Sequence, residues 1–125
     1  MAVAERLVAK SADAPDEVRP FKDDGGHMDV VHLPGLDVGR GTFEPGWRWS
    51  THVKPIAGTD SCQVPHVGYC LAGRMGIRMD DGSESEIGPG EFVHIPHGHD
   101  AWTIGDAACV FLDFGGLKGY AQPAS

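Results

Sequence analysis

Cys62 and His66 stand four residues apart in Ser61-Cys62-Gln63-Val64-Pro65-His66. That spacing is close enough for a thiolate and an imidazole to bind one ion from a strand and its bulge. The chain holds seven histidines and three cysteines, Cys62, Cys70 and Cys109. An odd cysteine count without a close-spaced pair argues against a disulfide framework, so a cysteine that matters here matters as a ligand or a nucleophile. Other polar residues have simpler readings. His27, His32, His94 and His97 read as surface or hydrogen-bonded residues, Cys70 and Cys109 as small core fillers, and Trp47, Trp49 and Trp102 as packing walls. Arg48, Arg74 and Arg78 could clamp a carboxylate, but solvated positions are the simpler expectation, as they are for the acidic run Asp80, Asp81, Glu84 and Glu86.

These side chains need a frame, and 125 residues make one domain with a single core. Eighteen acids against ten bases leave a formal charge of −8, which repels phosphate backbones and anionic membranes. Neither nucleic acid nor a membrane is an expected partner. The longest apolar run, Ala107 to Leu112, is far shorter than the ~20 residues of a spanning helix. Glu5 and Arg6 interrupt the apolar residues at the N-terminus, unlike a secretory signal, so a cytoplasmic protein with reduced thiols is expected.

Residues 1–27 mix charges with Ala-Pro and Asp-Gly punctuation and read as an N-terminal arm, with a short helix over Met1 to Lys10 as one alternative. From residue 28 to 125 the apolar period becomes two, which makes an all-β body. The predicted strands are Met28 to Leu33, Asp37 to Phe43, Trp47 to His52, Val64 to Leu71, Met75 to Met79, Glu84 to Ile87, Phe92 to Ile95, Ala101 to Ile104 and Ala108 to Phe114. The clearest hairpin turns at Asp80-Asp81-Gly82-Ser83, where Asp-Gly supplies the positive φ of a tight turn. Pro96 must end the strand that precedes it, because it offers no ladder donor.

Two motifs flank that hairpin. Gly90-Glu91-Phe92-Val93-His94-Ile95-Pro96-His97-Gly98 spaces a glycine, a proline and a glycine as in the second cupin motif, and Gly73 follows His66 by seven residues as in the first. Residues 35–115 therefore resemble a cupin domain, and the resemblance implies a jelly-roll β-barrel. In metal-binding cupins, two histidines and a glutamate of the first motif join a histidine of the second. By that pattern His66 fills the glutamate position. Counting back from Gly73 brings Asp60 and Cys62 to the two histidine positions; counting forward from Gly46 brings His52 and Lys54. The two counts agree if Pro55 to Asp60 is an insertion. In the second motif the expected position holds Ala101, with His99 and Asp100 just before it. A one-residue shift reverses the face of a strand, so one of the two points inward, and His99 is the choice.

The resemblance thus implies a divalent metal on His52, Cys62, His66 and His99, a set that suits zinc and also accommodates iron(II), nickel or copper. If three of the four reach the ion, one position stays open to water or substrate. It further implies a small-molecule ligand inside the barrel and either dioxygenase, isomerase or epimerase chemistry, with the ion as a Lewis acid or holding dioxygen, or a ligand-binding or sensor role without turnover. The resemblance also implies a homodimer, since jelly-roll cupins commonly pair through edge strands that would otherwise stay exposed.

Overall fold

A computed structural model describes residues 6–115, 117–118 and 120–122. Among these residues the alternating pattern folds as nine strands: β1 (Glu17–Pro20), β2 (Gly26–Leu33), β3 (Leu36–Phe43), β4 (His66–Ala72), β5 (Arg74–Met79), β6 (Glu84–Ile87), β7 (Phe92–Ile95), β8 (His99–Ile104) and β9 (Cys109–Asp113). They form a six-stranded sheet, β1-β2-β3-β9-β4-β7, and a three-stranded sheet, β6-β5-β8, with every pairing antiparallel. One apolar core joins the two. Met28, Val30, Phe43, Cys70 and Phe111 of the larger sheet pack in the same cluster as Met75, Ile77, Ile87 and Ala101 of the smaller. The period-two pattern puts these residues on the inner faces, where their burial drives the closure.

The strand expected over Trp47 to His52 is a correction. Trp49–His52 forms one helical turn, α1, followed by a second, α2 (Lys54–Ala57), which ends on Gly58 at φ 78°. Only Arg48 keeps a strand-like bridge, to Trp102. The cause is local. The Ser50 amide donates to Asp100 Oδ1 at 3.0 Å, and the His52 ring folds back on the Arg48 backbone, so side chains take the groups that a strand would offer to a neighbour.

At the other end of the chain, Arg6 to Lys10 carry no helix, and residues 1–5 lie outside the described part. Glu17–Pro20, within the expected arm, is a strand paired with β2. Its pattern is inverted. Val18 faces solvent while Glu17 and Arg19 are half-buried, so hydrophobic alternation gives no sign of it. Phe21 follows into the core, stacked 5.4 Å from Phe43.

Gly98, at the corner between β7 and β8, has φ 84°, and a Cβ there would meet Asp80 Oδ2 at 2.7 Å. Only glycine makes this turn without strain, and the turn starts β8 at the position that decides which side chain faces inward.

Candidate metal centre

Three segments converge at this corner. His66 opens β4 and His99 opens β8, both on inner faces. Cys62 lies on the loop before β4 and is bridged by backbone to His99: its amide donates to the His99 carbonyl at 2.7 Å, and the Gly98 amide donates to its own carbonyl at 2.6 Å. All three residues are buried. Each offers one ligand atom, and the three atoms lie within 4.8 Å of one another.

The hydrogen bonds define the tautomers. His66 Nδ1–H donates to Asp113 Oδ2 at 2.6 Å, and His99 Nδ1–H donates to the Pro96 carbonyl at 2.8 Å. Both rings are thereby turned with Nε2 away from those oxygens, and His66 Nε2 lies 3.7 Å from Cys62 Sγ. A tetrahedral ion with Zn–S near 2.3 Å and Zn–N near 2.0 Å would set such a pair about 3.5 Å apart. An imidazole that ligates through one nitrogen and donates the other N–H to an oxygen is the usual metal-bound arrangement. The donor set fits a transition-metal ion.

Burial alone would push the Cys62 thiol up, but hydrogen bonds and charge from His66 and His99 outweigh it and bring the group down to about 6. Burial pulls His66 down, and the Asp113 carboxylate together with the Cys62 sulfur more than reverses that, to about 9. Without an ion, the neutral-pH state is a thiolate beside an imidazolium. Tyr120 stands edge-on to His66 with ring centres 5.0 Å apart. Burial first, then the charges of Cys62 and Asp113, hold its phenol well above its ordinary value, so it stays neutral. Next to the cluster is a cavity of about 30 Å3, whose lining includes Trp47, Trp49, Phe111, His66, His99, Asp113 and Tyr120. It has room for about two water molecules.

Of the four residues named from sequence, the structure brings together Cys62, His66 and His99. His52 is elsewhere, on α1, with its Nδ1 3.0 Å from the Arg48 amide nitrogen and its ring over Gly25; the helical turn that replaces the expected strand carries it away from the other three. Asp100 faces out, half-buried, holding the Ser50 amide and lying 3.5 Å from Arg48. Trp102 packs over Gly76 with the Arg48 guanidinium 4.9 Å from its ring, a wall position.

Sequence reasoning missed Asp113 and Tyr120. Asp113 was detectable: in β9 it alternates with Cys109 and Phe111, so a carboxylate falls on the buried face and must have a partner. Tyr120 sits beyond the last strand in a glycine-rich stretch where periodicity carries no signal.

The fold and this cluster define a small two-sheet β-barrel with a sulfur and two imidazoles gathered inside. No family profile and no curated protein matches the chain in sequence. Solved structures do match in fold. The polyketide cyclase RemF from Streptomyces resistomycificus superposes with a TM-score of 0.63 at 20% identity, over 89% of this chain and 80% of that one. A sugar phosphate isomerase of the cupin superfamily from Silicibacter pomeroyi gives 0.62 at 18% identity, over 87% and 75%. A cupin domain from Bordetella pertussis gives 0.52 at 19%, over 73% and 92%. The chain has a small cupin-like, jelly-roll fold. Among the described residues no helix is long and apolar enough to cross a membrane.

Proposed function

We propose that this protein is a mononuclear transition-metal cupin in which Cys62, His66 and His99 hold the ion and a fourth position serves a small molecule. The observation that carries the reading is the paired orientation of the imidazoles: each donates Nδ1–H to an oxygen and so turns its other nitrogen, Nε2, toward the sulfur. When bound, the ion would supply Lewis acidity at an open coordination position. A thiolate and two imidazoles suit zinc first, with iron(II), nickel and copper also compatible. The protein's own residues do the rest. Asp113 fixes the His66 tautomer, the Pro96 carbonyl fixes that of His99, and Trp47, Trp49 and Phe111 supply apolar lining to the cavity. Two of the structural neighbours are called a cyclase and an isomerase, and rearrangement of a small molecule without net oxidation is the reaction class this reading favours.

A second reading has its own support. The cavity is small and Tyr120 closes against His66, as in a site that holds an ion without turnover. Elemental analysis of the purified protein, with and without prior chelation, tests the metal reading: about one ion per chain, removable with loss of a visible signature after cobalt substitution, is expected. A protein with no bound ion that also fails to take up zinc or cobalt would overturn both readings.

A further inference from the structure

Leu117 and Tyr120 belong to none of the strands, yet both are buried in the barrel core. What holds them is Arg19. Its Nη1 donates to the carbonyl oxygens of Leu117 and Tyr120, the latter at 2.9 Å, while its Nε donates to Glu17 Oε1 at 2.7 Å. The Arg19 side chain is only 10% exposed. A charge-assisted bond to a carbonyl is worth more than a neutral one, and two from one nitrogen at low exposure make a firm attachment between β1 and the chain after β9. The inverted alternation of β1 serves this attachment, since it turns Arg19 rather than Val18 inward.

On the far side of the fastened segment, the Tyr120 ring lies edge-on to His66 and also edge-on to Phe21, 6.1 Å away. It is part of the wall of the cavity beside His66 and His99, which has room for about two waters. A species no larger than about two waters fits such a space, and a five-membered ring is larger than that.

We propose that Tyr120 sets the size of what can reach the Cys62–His66–His99 centre, and that Arg19 is the latch that keeps it in place. This rests on the metal reading above. The ligand class admitted with the latch closed is a water-sized or triatomic species; anything larger must displace the Tyr120 ring.

The test uses the full chain loaded with cobalt(II), whose visible bands report both the thiolate ligand and any added one. Azide should perturb the wild-type spectrum and imidazole should not. In Tyr120→Ala, imidazole affinity should rise by about tenfold or more, as expected when a pocket wall is removed. Arg19→Ala should raise it by a smaller factor with the ring still present, and Tyr120→Phe should match wild type, because the ring rather than the hydroxyl does the excluding. Should Tyr120→Ala fail to fold, Arg19→Ala carries the test. Imidazole binding to wild type as readily as to the Arg19→Ala and Tyr120→Ala proteins would overturn this proposal alone, whereas absence of a cobalt–thiolate band in every variant would overturn the metal reading with it.

Discussion

Cys62 and Cys109 are the same residue at similar depth in one barrel, and their surroundings drive them in opposite directions. Cys109, on β9, lies close to Cys70 of β4; burial first, then the neighbouring sulfur, pushes its thiol up to about 12. Cys62 is brought down to about 6 because two imidazoles face it. Burial by itself makes a thiol inert. Burial with a donor whose charge is in turn anchored, here His66 on Asp113, makes a thiolate. The two buried cysteines thus differ in what they can do, although both are held in the same core.

The sharpest way to break this comparison is to remove the sulfurs in turn. Cys62→Ala and His66→Ala should each lower bound metal from about one ion per chain to well below one, while Cys70→Ala, Cys109→Ala and His52→Ala should keep it, all read by elemental analysis. If His52→Ala loses the ion and Cys62→Ala keeps it, the centre has been placed on the wrong residues.

Next in size is the pH dependence. Between about pH 6 and pH 9 the ion-free centre has Cys62 already deprotonated and holds a proton on His66 that the ion must displace. Affinity should therefore rise about tenfold per pH unit across this window and level off above it. Below pH 6 the thiol proton must leave too, and the slope should steepen. Competition with a chelator of known protonation measures this. The ion-free protein should also show the ultraviolet absorbance of one thiolate per chain at pH 8, lost as pH falls through about 6, with the Cys109 thiol contributing nothing there.

Asp113→Asn should have a smaller effect. The amide keeps a hydrogen bond but loses the charge that fixes the His66 tautomer, which should weaken zinc by about 10- to 100-fold in the same competition assay. The smallest effect belongs to the other region. Cys109→Ser would place a hydroxyl among apolar neighbours and should cost about 1 to 3 kcal/mol in denaturant unfolding, with metal content unchanged.

How much of this could be read in advance follows the range of the interactions. The strands from Glu84 to Ile87 and Phe92 to Ile95 match their expected bounds because alternation and flanking turns are local signals. Glu17–Pro20 escaped notice because its inward residues are charged, and Trp47 to His52 was misread because side-chain bonds from Asp100 and His52 reshape the backbone. His66 and His99 were legible as inward positions once the motif placed them. The loop holding Cys62 was not, since its path depends on the bridge to His99, a partner 37 positions away.

Composition, charge and periodicity by themselves determined an acidic, mostly β fold, because each is a property of the chain read over a few neighbouring residues. The tertiary structure alone decided that Asp113 stands behind His66, that His52 turns away, and that Tyr120 closes the interior under the hold of Arg19. The placements of Asp113 and Tyr120 depend on contacts between residues 47 and 101 positions apart, and no local preference encodes a distance that only the closing of two sheets around a common core can set.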